Sequence, residues 1–305
     1  MGMTPTIVIV GAGGQLGTAL AHSPARHSSI RPLTSADLDI TDAVSVSAAL
    51  RDLGPDDVVL NCAAYTNVDA AESDADRAYA VNRDGPAHLA RSTAATGARL
   101  VHVSTDYVFD GAAATDDGPR RTDPYEPGDV TGSPETVYGA SKLAGERALL
   151  DADPRAAVVR TAWVYTGGRG APDFVGTMRR LEAERDQVSV VDDQRGSPTY
   201  AVDLAAGLWE LARPDFADTA AGAVVHATNA GAVTWYEVAR AVFAEVGADP
   251  ARVLPCTTAD FPRPAPRPAY SVLSGASWAK LGLTPLRDWR AALHAAVGAG
   301  ATMSS

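Results

Sequence analysis

Ile7-Val8-Ile9-Val10 is an unbroken β-branched run that stops dead on Gly11. In a water-soluble chain such a run is a strand buried on both faces, which requires a parallel sheet covered by helices. Gly14 and Gly17 follow in G-x-x-G-x-x-G spacing, at the head of a helix predicted from Gln15 to Ala21. The first glycine permits a tight turn, and the middle one lets a pyrophosphate approach the backbone. The last lets the helix pack close, its N-terminus facing the phosphates. Gly13, Gln15 and Leu16 share this turn and are candidates for the same contact. Glycine turns are common, and a turn that binds nothing is the plain alternative. Its place between a buried strand and a helix favours a dinucleotide.

The pattern then repeats. A weaker strand is predicted near Ile30 to Leu33, a helix from Ala43 to Leu53, and a strand at Val58 to Leu60. A long helix from Ala75 to Thr96 closes at Gly97, and a strand follows at Leu100 to Val103. Tyr138 to Leu150 is helical, and Ala157 to Val159 returns to the sheet. This alternation predicts an α/β fold with a doubly wound parallel sheet. Beyond Trp163 helices and loops mix, with a proline-rich run from Phe261 to Pro268. The expected division is a dinucleotide-binding domain over 1–165 and a smaller, mostly substrate-binding domain over 166–305, some of whose segments return to the first. The loop from Phe109 to Val137 follows a strand end, where open α/β sheets bind ligands.

Composition excludes several classes. At 46% hydrophobic and 21% charged the chain is globular, and its net charge of −11 argues against nucleic acid as a partner. The two cysteines, Cys62 and Cys256, are far apart, and the six histidines include no HExxH, so neither disulfide framework nor metal site is expected. No stretch approaches about 18 apolar residues and no signal peptide is visible, so no membrane partner and a cytoplasmic location are expected. Met1–Thr6 fits a short myristoylation pattern but reads as a tail before the first strand.

An acidic residue at the end of the second strand would grip an adenosine 2′-hydroxyl. Thr34 and Ser35 stand there instead, which favours NADPH while leaving NADH possible. Asp39 and Ile40 could cap the adenine side. Ala63, Ala64, Tyr65 and Thr66 end the Val58 strand with mostly small residues, letting a cofactor lie across them.

Tyr138 and Lys142 are one helical turn apart on one face. A phenol that must trade a proton near pH 7 lies roughly three pK units from neutrality, and an adjacent ammonium favours the phenolate. Ser104-Thr105-Asp106 ends the preceding strand, and since neighbouring strand residues face opposite ways, only one hydroxyl can reach the same carbonyl.

With these motifs the chain resembles the extended short-chain dehydrogenases/reductases of Rossmann type, and within them the dTDP-4-dehydrorhamnose reductase family. The matching segments include GAGGQLG (11–17), NCAAYTNVDAAE (61–72), VHVSTDYVFDG (101–111), VYGASKLAGE (137–146) and VVDDQRGSPTY (190–200). The resemblance implies NADPH-dependent reduction of the C4 ketone of a dTDP-linked 4-keto-6-deoxysugar. It implies Tyr138 as proton donor, Lys142 as its pKa and ribose partner, and Thr105 as the tuning hydroxyl. Thr105, Asp106 and Trp163 are the implied substrate contacts. Two departures stand out. The family's late arginine pair is here Pro264-Ala265-Pro266-Arg267-Pro268, so Arg267 alone is expected at the substrate phosphates, with Arg263 pointing elsewhere. The acidic metal ligands at the dimer interface of some members fall at Ala19 and Val202, so a monomer or weak homodimer is expected. A silent regulatory subunit and an epimerase with tightly held NAD are the alternatives.

Overall fold

The computed structural model describes residues 5–22, 29–110 and 121–302; Met1–Thr4 of the lipidation pattern and residues 111–120 of the long loop lie outside these. Six strands form one all-parallel sheet: β1 (Thr6–Val10), β2 (Ser29–Leu33), β3 (Val58–Asn61), β4 (Arg99–Thr105), β5 (Ala157–Thr161) and β6 (Val224–His226). Their spatial order is β2-β1-β3-β4-β5-β6. The order reverses between β1 and β3, and the C-terminal ends of those strands flank the crevice where such sheets take their ligands. Val8, Ile9, Val59 and Leu60 are fully buried, as runs with no polar alternation require.

Helices cover both faces. On one, Leu20 of α1 (Gln15–His22) packs with Leu204 and Leu208 of the helix Ala201–Leu211 and with Trp278. On the other, Val46 and Leu50 of α2 (Ala43–Leu50) meet Leu89 and Leu149. The second half of the chain thus contributes both β6 and a covering helix to the large sheet. A separate core, containing Val175, Met178, Val242, Phe243 and Leu293, is built entirely from residues after Trp163. Among the described residues no helix is long and apolar enough to cross a membrane.

The long helix predicted over 75–96 is interrupted. It runs as Ala75–Tyr79, then a π turn Ala80–Asp84, then Gly85–Thr96. The widened turn presents Asn82, whose Oδ1 accepts from Tyr65 N–H at 2.8 Å while Nδ2 donates to the Ser141 hydroxyl at 3.0 Å. A four-residue helix at Val68–Ala71, capped by Asn67, had no periodic signal to announce it. The helix Val137–Ala152 starts where Thr136 Oγ1 accepts from Gly139 N–H at 2.9 Å, which places Tyr138 in the first turn.

Candidate active site

At the head of α1 the glycines have separate tasks. Gly11 adopts φ +80°, and a Cβ there would lie 2.6 Å from Ala63 N, so only glycine lets β1 and the end of β3 approach this closely. Both Gly11 and Ala12 N–H donate to Leu33 O, at 2.9 and 3.0 Å. A Cβ on Gly17 would sit 2.2 Å from Gly11 O, which fixes the helix against its own turn. Gly13 is different: a Cβ would meet nothing nearer than Thr34 Cγ2 at 3.7 Å. Gly13 is exposed at the head of the helix, beside exposed Gly14 and half-buried Gln15, while Leu16 turns into the core.

The end of β2 carries one group that the sequence reading did not place there. Thr34 and Ser35 carry no carboxylate themselves, but Asp37 folds back, accepting from Thr34 N–H at 2.9 Å and from its hydroxyl at 2.7 Å. Those bonds hold the Asp37 carboxyl below its ordinary range. The position is therefore not free of acidic groups, because a turn returns one from three residues on. Asp39 is engaged by Thr41 N–H and hydroxyl, and the Ile40 side chain packs in the core with its carbonyl facing His88 Nδ1 at 3.1 Å.

Ala63 lies two residues past the end of β3, its N–H held by Asn61 Oδ1 at 3.0 Å. Asn82 clasps Tyr65 through both N–H and carbonyl, so the segment Ala63–Thr66 is tied to the π turn and, through Ser141, to the Tyr138 helix.

Tyr138 is buried with its ring edge-on to Tyr107, centroids 5.4 Å apart. Burial pushes the phenol up to about 12, and the facing Thr105 hydroxyl opposes part of that rise. Thr105 Oγ1 donates to Asp106 Oδ1 at 3.0 Å, whereas Ser104 points to the other side and finds no partner. Asp106 is itself buried, which pushes its carboxyl up to about 6 against the hydroxyls of Ser271 and Thr105. Lys142 departs from expectation. Its Nζ donates to Val103 O at 2.8 Å and lies 3.1 Å from His102 Nε2, so its polar contacts are with β4 and not with the phenol.

Trp163 has φ +49°, the only positive value outside glycine among the described residues. It stacks on Trp235 at 3.5 Å, and Gly196 is small because a Cβ there would strike the indole at 2.4 Å. A strained non-glycine residue held this firmly commonly marks a functional surface. Together with Gln15, Thr66, Tyr165, Phe174 and Trp235 it lines a cavity of about 240 Å³ between the glycine turn and the second core.

The arginines are also corrected. Arg267 and Arg263 do not diverge: they converge on Asp69, at 2.9 and 3.9 Å. Ala265 N–H donates to the same carboxylate at 3.2 Å, which bends the proline-rich run around it. Arg267 is close enough to Tyr107 for its charge to favour ionisation of that phenol. This brings Arg267 beside the Tyr107–Tyr138 pair.

The family model for the RmlD substrate binding domain matches residues 5–301. The chain belongs to the dTDP-4-dehydrorhamnose reductase family. It is 56% identical over 305 residues to the dTDP-4-dehydrorhamnose reductase of Mycobacterium tuberculosis, covering 100% of this chain and 96% of that one. Among solved structures, a dTDP-4-dehydrorhamnose reductase from Clostridium acetobutylicum superposes with TM-score 0.87 at 37% identity, covering 96% of this chain and 99% of that one. The Bacillus anthracis reductase, solved in complex with NADP, gives TM-score 0.86 at 35% identity, covering 96% and 98%.

Sequence reasoning missed Asn61, His102, Asn82, Asp69, Tyr107 and Trp235. Each acts through a partner remote in sequence or through burial, which no local pattern records. Asn61, Asp69, His102 and Tyr107 lay within the matching segments 61–72 and 101–111 but without a role of their own, and Asn82 lay in none.

Proposed function

We propose that the protein reduces the C4 ketone of a dTDP-linked 4-keto-6-deoxysugar with NADPH, using Tyr138 as the proton donor. The observation that carries this is the cluster of Tyr138, Thr105 and Asp106 at the C-terminal end of β4, beside the crevice flanked by β1 and β3. The cofactor fits the residues present: exposed Gly13 and Gly14 leave bare backbone at a helix N-terminus, where the nearest side chain to a Cβ on Gly13 would be Thr34 at 3.7 Å. Gly11, Gly13, Gly14 and Gln15 would hold the pyrophosphate, Thr34 and Ser35 the adenosine ribose, and Ala63–Thr66 the middle of the molecule. When bound, NADPH supplies the hydride.

The protein's own residues manage the proton. Burial keeps Tyr138 protonated at neutral pH, so it arrives at the carbonyl oxygen as an acid. After donation the Thr105 hydroxyl, which donates to Asp106 in the resting site, would turn its proton to the phenolate and stabilise it. Trp163 would shape the sugar pocket, and Arg267 would meet the diphosphate as a planar fork. The names of relatives and the NADP complex of the Bacillus anthracis enzyme support the reading. Tyr138→Phe tests it. NADPH binding followed by fluorescence should be unchanged, while turnover of the dTDP-sugar falls by about 10²–10⁴. Single-turnover rates near wild type would overturn the assignment.

A further inference from the structure

Of the chain's 26 basic side chains only two are lysines, Lys142 and Lys280, and the fully buried one in the site is a lysine. Arginine is charged at every accessible pH, whereas a buried lysine can be neutral. What surrounds Lys142 decides which form it takes.

Asn61, His102 and Lys142 form a buried chain across β3, β4 and the Tyr138 helix, with relative exposures of 0%, 0% and 1%. Asn61 Oδ1 accepts from Ala63 N–H at 3.0 Å, and this fixes which way the amide points. Asn61 Nδ2 therefore faces His102 Nδ1 at 2.9 Å as a donor. A neutral imidazole carries a single N–H, so Nδ1 accepts and Nε2 holds the proton. Nε2–H then points at Lys142 Nζ, 3.1 Å away. An ammonium has no lone pair to receive it, but an amine does, and that amine can still donate to Val103 O at 2.8 Å. A charged lysine would leave two donors facing each other, either at Nζ or at the asparagine. In a dry site such a conflict is costly.

We propose that Asn61 and His102 favour the neutral amine of Lys142 and so weaken its hold on its proton, making His102 a positioning residue that governs when the lysine is charged. The proposal rests on the placement of Lys142 in the active site given above. The other charged or titratable groups around Nζ are few. Cys62 faces it from the segment after β3, and Glu146 lies one turn along the same helix, its carboxylate held by Arg160 of β5 at 2.7 Å. Tyr138 lies one turn back. Burial lowers Lys142 to about 8, with Glu146 and Cys62 opposing. Burial depresses His102 well below its ordinary range, as does Lys142 whenever it is charged, so the imidazole does not take a second proton. Whenever Lys142 is neutral it exerts no positive field on Tyr138, so the pH at which the amine takes its proton tunes the acidity of the phenol.

The chain's composition makes the test simple. Protein labelled with [ε-¹³C]lysine gives two signals, and exposed Lys280 serves as the internal reference. In the cofactor-free protein Lys142 should titrate at least about two pH units below Lys280. The ¹⁵N shifts of His102, assigned by their loss in His102→Gln, should report the Nε2–H form. His102→Gln presents a carbonyl oxygen that accepts from an ammonium. It should raise the Lys142 midpoint by about one pH unit, tenfold in proton affinity, and move the pH profile of kcat/KM the same way. Asn61→Asp, which accepts from His102 Nδ1–H and reverses the tautomer, should do likewise. The proposal is overturned by an Nδ1–H imidazole, by Lys142 titrating with Lys280, or by a depressed midpoint that neither substitution moves. The wild-type spectra decide the first two even if a variant fails to fold. The outcome is separate from that of Tyr138→Phe, since lysine titration needs no turnover.

Discussion

Arg267 presents one edge of its guanidinium to Asp69 at 2.9 Å and another to Ala265 O at 2.8 Å. It is thus held before any ligand arrives, by a residue nearly 200 positions away. Holding it in advance reduces the side-chain entropy lost on binding. If Arg267 meets the diphosphate, Arg267→Ala should raise KM for the dTDP-sugar by a factor corresponding to about 1.5–3 kcal/mol, the range for a hydrogen bond to a charged group. NADPH affinity, measured by fluorescence titration, should stay unchanged. Arg263 sits 3.9 Å from the same carboxylate and is more than half exposed, so Arg263→Ala should alter KM by less than about threefold. Equal effects from both, or a change in NADPH affinity alone, would remove Arg267 from the substrate site. That the two arginines converge was illegible in the sequence: polyproline geometry spaces them apart, and only the Ala265–Asp69 bond bends the run back. The same holds for Asp37, whose return to Thr34 depends on a turn and not on a strand position. Tyr138, Thr105 and the glycines were legible because strand ends and helical spacing are local.

Among the elements, five of the six strands follow from short apolar runs and the Tyr138 helix from its spacing, whereas β6 lies in the part of the chain where no strand was expected. The π turn did not follow, because its cause lies in packing. A Cβ on Gly145 would come 1.9 Å from Asn82 O, so the Tyr138 helix and the turn touch backbone to backbone. Gly145→Ala must push them apart, disturbing the Asn82 bonds to Tyr65 and Ser141. Overpacking of this kind typically costs about 1–3 kcal/mol, and a lower Tm by calorimetry should show it. Gly13→Ala is the contrasting case. With no neighbour closer than 3.7 Å it should leave Tm nearly unchanged while weakening NADPH binding, since the added methyl occupies the ligand's side of the turn. If Gly13→Ala instead unfolds the protein and binds NADPH normally when folded, the turn is structural and the cofactor lies elsewhere.

At the scale of the whole molecule, the large sheet carries two histidines that are kept neutral, and they set its response to acid. His226 ends β6 and is fully buried, with Nδ1 donating to Tyr125 O at 2.9 Å and Phe109 edge-on to its ring at 5.8 Å. Burial, and then the charge of Arg160, lower it to about 3, while the bond to Tyr125 opposes them. His102 on β4 is depressed in the same direction by burial and Lys142. Both fold neutral and protonate on unfolding, so their contribution to stability is present above the unfolded value near 6.5 and is lost as pH falls toward the folded value. For His226 a drop from pH 6.5 to 5 removes about 2 kcal/mol of an eventual 5 or so. Asp106 works oppositely. Its carboxyl is raised to about 6, so its contribution is present below 3.8 and is lost as pH rises through 6. The two trends oppose each other between pH 3.8 and about 6, but the histidines are two against one and act alone just above 6, so Tm should fall as pH is lowered from 6.5 to 5. His226→Asn keeps a donor for Tyr125 O and removes the titration. In differential scanning calorimetry it should flatten the Tm–pH slope below 6.5 by roughly half, even if Tm at pH 8 is lower than wild type. A slope identical to wild type would mean that β6 opens before the rest of the sheet and that His226 protonates without global unfolding.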